Sequence, residues 1–221
     1  MGIGHAAVAL GASRAAPRVN AGILIFAAFL AAFLLGIFAA LGMEQAHVPP
    51  DYATRHYLTF TFPYSHGLVA LIASGLLFGA VFCWVDQQDR VRAFWVMGAL
   101  VFSHFILDAL VHVPELPLLG QNSPKVGLAL WNHMPLELTL ESLMALAGLV
   151  LYWTLRGGTR MSRWGMAVFM VLLTALTWTQ LFSTTAPTPS QLVRTWIIAP
   201  IVFSAIPYWF DRGRVAAQTG L

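Results

Sequence analysis

The sequence predicts an all-α integral membrane protein, a polytopic bundle of about six transmembrane helices. Of its 221 residues, 58% are hydrophobic and only 10% are charged, whereas a soluble domain usually carries about 25% charged residues. The mean hydropathy is +0.73. So few charges cannot cover a water-facing surface, which excludes soluble, fibrous and disordered classes. The apolar stretches are also continuous, as in membrane helices, and do not alternate as they would in the strands of a barrel.

Six apolar stretches reach the length of about 20 residues that a helix needs to cross a bilayer. They are Ala21–Met43, Tyr64–Val85, Ala93–Val113, Leu136–Leu155, Trp164–Phe182 and Leu192–Phe210. We expect residues 21–210 to form one transmembrane domain, with short cytoplasmic tails at 1–20 and 211–221. Small residues four positions apart, such as Gly75 and Gly79, predict close helix packing within one chain or across a dimer.

The distribution of basic residues predicts the orientation. Nine of the 12 Lys and Arg residues fall in the two tails and in the second and fourth loops, and only Arg55, Lys125 and Arg194 fall on the other side. The positive-inside rule then places both termini in the cytoplasm and predicts a multi-pass protein of the inner (cytoplasmic) membrane. The basic residues form no dense cluster, so nucleic-acid binding is not expected. The single cysteine excludes disulfides and cysteine-based metal clusters.

The third span contains a carboxylate, Asp108, flanked by two histidines. A charged side chain near the middle of a membrane costs about 2.5–3.5 kcal/mol on insertion scales, so it usually faces the bundle interior with a partner. His104, Asp108 and His112 are four residues apart and therefore share one helical face. The spacing predicts a ladder of two imidazoles and one acid that runs from the outer rim towards the membrane centre.

The fourth span repeats this spacing with His133, Glu137 and Glu141, and His66 lies at the start of the second span. Each of these helix ends faces the outer side in the predicted topology. Three helices therefore bring four histidines and three carboxylates to the outer half of the bundle. Imidazole and carboxylate at this density suit a divalent metal ion, and Zn²⁺ first of all.

The candidate metal ligands are His66, His104, Asp108, His112 and His133. The preferred three are His66, His104 and Asp108, because they reach a similar depth. At the rim, His112 and His133 suit a ligand, a partner of a ligand or an interfacial hydrogen bonder. The candidate catalytic groups are Glu137, as general base, and Glu141, which could alternatively orient a metal-bound histidine. His5 lies in the N-terminal tail and is expected to be incidental.

Part of the chain resembles a known family. The segment Pro63-Tyr-Ser-His66-Gly-Leu, the run Ser103-His104-x-x-x-Asp108 and the pair Leu130-Trp131 resemble motifs of the YdjM-type family of membrane-bound metal-dependent hydrolases. The resemblance covers roughly residues 50–135 and implies that His66, His104 and Asp108 are metal ligands. The acidic Pro-Asp-x-Asp-His element of that family is reduced here to Pro50-Asp51 and His56.

These observations predict a membrane-embedded metal-dependent hydrolase that acts on a lipid-like or amphipathic ester or phosphoester from within the bilayer. The alternative is a non-enzymatic protein, either a proton or metal-ion pathway or an accessory subunit of a larger membrane complex. The polar residues stop about halfway through the bundle, which favours a one-sided pocket over a channel. Assembly into a homo-oligomer or a membrane complex stays open.

Overall fold

The computed structural model describes residues 2–85, 89–155 and 157–219. It is all-α and 70% helical, which confirms the predicted helical bundle. The helices are α1 (Ile3–Ala12), α2 (Ala21–Ala40), α3 (Tyr52–Arg55), α4 (Leu68–Val85), α5 (Arg90–Val111), α6 (Met134–Trp153), α7 (Arg160–Trp178) and α8 (Pro189–Thr219). Two short antiparallel hairpins, β1 (Gln45–His47) with β2 (Thr59–Thr61) and β3 (Leu116–Pro117) with β4 (Lys125–Val126), lie between them.

Within the described residues, five helical segments are long and apolar enough to cross a membrane. They are Ala21–Ala40, Arg90–Val111, Leu130–Trp153, Arg160–Phe182 and Pro189–Ala216. The second predicted span, Tyr64–Val85, forms α4, which begins only at Leu68 because residues 64–67 belong to a turn. Its apolar run Leu68–Trp84 is therefore shorter than the other five.

The N-terminal segment forms a buried helix, α1. Its sequence is apolar on all sides, which is typical of a helix surrounded by protein, and it packs against α2, α5 and α6. The contact with α6 is very close, because a Cβ at Gly148 would lie only 2.4 Å from the carbonyl oxygen of Ala7. Thus α1 is a wedge inside the bundle, and the chain turns back at residues 13–20 to begin α2.

A buried polar cluster holds this turn against α8. The Asp211 carboxylate accepts hydrogen bonds from the backbone amide of Ala21 at 2.7 Å and from the hydroxyl of Tyr152. It also accepts two bonds of 2.6 Å from Arg214, whose guanidinium in turn donates to the carbonyl of Val19 at 2.9 Å. The start of α2 and the end of α8 are therefore fixed to each other at this end of the bundle.

Five exposed tryptophans lie at the same end of the bundle as the Asp211 cluster. They are Trp84, Trp95, Trp153, Trp164 and Trp209. The first four lie within the first or last six residues of their helices, and Trp209 lies in the last third of α8. Tryptophan is enriched at the interface between lipid and water. The two hairpins occupy the opposite end, which we call the hairpin end.

Candidate metal centre

One face of α5 carries the polar ladder that its sequence predicts. His104, Asp108 and His112 are 3%, 2% and 4% exposed, so all three point into the bundle. His112 follows the last residue of α5 at the hairpin end, and Asp108 and His104 lie one and two turns deeper. The i, i+4 spacing therefore places these three side chains in one column of buried polar groups along α5.

Two further histidines reach Asp108 from other segments. His66, in the turn that precedes α4, places its Nε2 atom 3.5 Å from Oδ2 of Asp108. His5, in the first turn of α1, places its Nε2 atom 3.3 Å from Oδ1. The ladder residues His104 and His112 have Nε2 atoms 3.2 Å and 3.7 Å from Oδ2. We call these four histidines and Asp108 the Asp108 cluster.

Three of the four histidine rings make a hydrogen bond through Nδ1, the ring nitrogen that points away from Asp108. The His104 Nδ1 atom is 2.7 Å from the backbone carbonyl of Ala28, and the His112 Nδ1 atom is 2.6 Å from the Glu115 carboxylate. The Nδ1 atom of His66 is 2.7 Å from the Ser65 hydroxyl, which itself donates to Glu44 at 2.6 Å.

Each of these outer groups can only accept the hydrogen bond. A carbonyl and a carboxylate carry no hydrogen, and the single hydroxyl hydrogen of Ser65 is directed at Glu44. A neutral ring with these partners carries its proton on Nδ1, so that the Nε2 atom that faces Asp108 carries a lone pair. Fixing a ring through its outer nitrogen in this way is the usual support of a metal-binding histidine.

The spacing of the donor atoms fits a first-row divalent metal. Zinc binds nitrogen and oxygen at about 2.0–2.2 Å, and two ligands of a tetrahedral site are then about 3.3–3.6 Å apart. The four distances from Nε2 to the Asp108 carboxylate run from 3.2 to 3.7 Å. His5, His104 and Asp108 form the most compact group, with one ligand atom from each lying within 4.8 Å of the others.

The cluster opens into a cavity of about 220 Å³. Apart from the cluster itself, its walls are mostly apolar and come mainly from α2, β2 and α8, including Phe29, Phe60, Trp196 and Phe203. Trp131 closes one side and packs on His112, with ring centroids 4.0 Å apart. The cavity therefore combines a small polar group of possible ligands with room for an apolar ligand portion.

The structure does not bring the remaining predicted site residues into this cavity. His133 is exposed on the 3-10 turn Leu130–His133 that precedes α6. Glu137 and Glu141 are buried, but they line a neighbouring cavity. The reason is α1, which occupies the space between α5 and α6, so that the acids of α6 face the start of α1 and the end of α7.

Sequence reasoning missed one member of the cluster and two of its supports. His5 was expected to be incidental, yet its ring is stacked on His104 with centroids 3.7 Å apart. Glu44 and Glu115 lie outside the predicted spans but are 1% and 7% exposed. Burial raises the pKa of Glu44, although three hydrogen bonds from Tyr64 and Ser65 oppose that rise. The sequence did contain a signal for His5. It is the one ionisable residue in the otherwise apolar run Ile3–Ala12, and a histidine buried in such a run needs a polar partner.

Comparison of the chain with protein-family models, with curated proteins and with solved structures finds no match. The function is therefore inferred from the geometry of the site.

Proposed function

We propose that this protein is an integral-membrane metal-dependent hydrolase whose divalent ion, most simply Zn²⁺, is held by His66, His104, His112 and Asp108. The substrate is a lipid-like or amphipathic ester or phosphoester that enters the apolar cavity in front of the cluster. This proposal agrees with the resemblance to the YdjM-type family over residues 50–135.

A single observation carries the metal site. Three rings whose Nδ1 atoms are already bonded elsewhere turn their Nε2 atoms towards one carboxylate in the interior of an apolar bundle, and neutral rings in this arrangement need a shared proton or a cation between these atoms. If each ring carried a second proton instead, three imidazolium ions would be buried against one carboxylate, at a large desolvation cost. A divalent cation among these atoms satisfies all four groups at once.

The same contacts suggest a separate role for His5. A divalent ion in this position polarises the scissile group and lowers the pKa of water near it. His5 differs from the other three rings, because its Nδ1 atom is buried without a hydrogen-bond partner in the described part of the chain. Its Nε2 atom lies 3.3 Å from Asp108. We assign His5 the role of proton acceptor, in place of the Glu137 of the sequence analysis.

A proton or ion pathway is less well supported than an enzyme. Such a pathway needs polar groups along the whole depth of the bundle. Towards the Asp211 end, the positions below His104 on the buried face of α5 are Leu100, Val101 and Met97, and all three are at most 2% exposed. The polar column of α5 therefore ends at His104, and this apolar layer separates it from the buried Asp211 cluster, as expected for a pocket that opens to one side.

The membrane topology is part of the proposal. We propose that α4 crosses the membrane as a sixth span together with the five longer segments. The basic residues are concentrated at the end of the bundle that contains Asp211, which supports a cytoplasmic location for that end in an inner membrane. The Asp108 cluster then lies in the outer half of the bilayer.

Metal analysis of the purified protein tests the proposal. We expect near-stoichiometric metal in the wild type, loss of that metal in His104→Ala, and retention in His133→Ala, which removes an exposed histidine outside the cluster. Hydrolysis of a fluorogenic phosphodiester and of a fluorogenic carboxyl ester should depend on the same metal. A wild-type protein that binds no metal after incubation with Zn²⁺ would refute the site, and a loaded protein inactive on both ester classes would refute the hydrolase.

A further inference from the structure

His5 is held in the Asp108 cluster differently from the other three histidines. Those three rings are each fixed by a hydrogen bond through Nδ1, whereas the Nδ1 atom of His5 has no hydrogen-bond partner in the described part of the chain. Stacking on His104, with ring centroids 3.7 Å apart, fixes the plane of the His5 ring but not its rotation within that plane. The place of its Nε2 atom, 3.3 Å from Asp108, therefore depends mainly on the backbone of α1.

The helix that carries His5 has little of its own to fix its depth in the bundle. Six of the ten residues of α1 are alanine or glycine, and such a smooth surface can slide against its neighbours with little change in apolar contact. Its N-cap is Gly2, which has no side chain, and its first turn contains no acidic residue. The first turn is nevertheless buried, so its free N–H groups need acceptors from another part of the chain.

Glu141 supplies these acceptors from α6. Its carboxylate accepts hydrogen bonds from the backbone amides of Ile3 and Gly4, and it shares a further hydrogen bond with Glu137, one turn away on the same helix. Two carboxyl groups can hydrogen-bond to each other only when one of them carries a proton, so the pair holds one negative charge. That charge lies at the positive end of the α1 dipole, where an anion is favoured.

We propose that Glu141 is a positioning residue of the metal site, which binds the first turn of α1 and thereby holds the His5 ring against Asp108. This inference rests on the proposed function, in which His5 accepts a proton. A second contact on the same face of α6 supports it. Two turns after Glu141, Gly148 packs directly on the backbone of Ala7. The contact at Gly148 sets the distance between the two helices, and the hydrogen bonds of Glu141 set the depth and rotation of α1.

The first test measures the position of His5 and requires no turnover. Protein labelled with 15N-histidine is examined by NMR in detergent, with zinc and with chelator, and the His5 ring signals are assigned by their absence in His5→Asn. Glu141→Leu has no acceptor, and we expect it to shift the His5 signals while those of His66 and His112 stay in place. Glu141→Gln should keep the His5 signals near their wild-type positions. Its amide oxygen has two lone pairs for α1, and its NH2 group can donate to Glu137.

Tyr152→Phe is the matched control, because it removes a buried hydrogen bond at the other end of α6. It should lower the melting temperature without moving the His5 signals, which separates a displaced ring from a general loss of stability. If Glu141→Leu does not fold, Glu141→Asp takes its place, since the shorter side chain withdraws the acceptor from α1. Unchanged His5 signals in the variant that folds would overturn the inference.

The second test measures hydrolysis of the fluorogenic esters in protein of known metal content. Glu141→Leu should lower kcat by about 10–100-fold with little change in KM, because a small displacement of a reacting group has an effect of this size. Glu141→Gln should retain most of the wild-type kcat. An equal loss in the two variants would mean that the carboxylate itself takes part in the chemistry, which contradicts a positioning role. In the His5→Asn background, Glu141→Leu should cause no further loss, and additive losses would contradict action through His5.

The two tests together separate this inference from the proposed hydrolase. Selective shifts of the His5 signals without any hydrolysis support the positioning role and refute the hydrolase. Hydrolysis with an unchanged kcat in Glu141→Leu refutes the positioning role alone.

Discussion

Replacement of Asp108 by asparagine is expected to have opposite effects on the metal-free and the metal-loaded protein. In the metal-free protein the Asp108 carboxylate faces the Nε2 atoms of His66, His104 and His112 at 3.2–3.7 Å. The asparagine side chain has the same shape and brings two N–H donors. If its amide nitrogen faces a neutral His104, it donates a hydrogen bond to Nε2, and one such bond contributes about 1 kcal/mol.

The expected shifts in melting temperature follow from the free energies of this hydrogen bond and of zinc binding. For a soluble chain of this length, about 1 kcal/mol corresponds to about 2–4 °C, so metal-free Asp108→Asn should melt at or slightly above the metal-free wild type. Zinc at 100 times its Kd should stabilise the wild type by about 2.7 kcal/mol, which corresponds to about 5–11 °C on the same scale. The variant lacks the anionic ligand and should lose most of this metal-induced shift.

The assay is thermal unfolding in detergent, followed by intrinsic tryptophan fluorescence with chelator or with zinc. His133→Ala is the matched control, and it should show the full metal-induced shift. The opposite pattern would refute the reasoning. If Asp108→Asn strongly destabilises the metal-free protein, and zinc does not stabilise the wild type, then Asp108 is the centre of an ion-pair network with protonated histidines and no metal site exists.

Three other predictions follow from single contacts. Glu115→Gln weakens the support of His112 and should lower metal affinity by about 10–100-fold, measured by competition with a chromogenic chelator; unchanged affinity would exclude His112 as a ligand. Gly148→Val places side-chain atoms against the backbone of α1 and should destabilise the protein by about 1–3 kcal/mol and reduce zinc binding, whereas full stability would show that α1 is not wedged against α6. Arg214→Met leaves Asp211 buried without its guanidinium partner and should cost about 3–5 kcal/mol in thermal unfolding. The exposed neighbour Arg212→Met should cost little, and equal effects of the two changes would contradict the buried cluster.

Local periodicity was sufficient to predict three of the five residues of the Asp108 cluster. His104, Asp108 and His112 belong to one helix, and the spacing of four residues determines that they share a face whatever packs against it. His66 was also predicted correctly to lie near them, because it precedes the neighbouring helix at the same end of the bundle. These residues could be found without any knowledge of how the helices are arranged.

The same reasoning misplaced the acids of α6. The spacing of Glu137 and Glu141 puts them on one face, but it does not say which helix that face meets. That face meets α1, which lies between α5 and α6 and places His5 beside Asp108. A run of ten apolar residues is too short to span a membrane, so hydropathy alone assigned it to a tail.

For this protein, the sequence by itself determined the membrane-helical class, the approximate positions of the long helices and the polar ladder of α5, because each depends on neighbours along the chain. The end of the last helix was not among these, since α8 continues to Thr219, nine residues past the predicted Phe210. Only the tertiary structure decided that His5 joins the cluster, that Glu44, Ser65 and Glu115 orient its rings, and that the α6 acids form a second cavity. The physical reason is that these contacts join segments far apart in sequence, and the close packing of α1 against α6 at Gly148 selects one arrangement among several that the same apolar faces would allow.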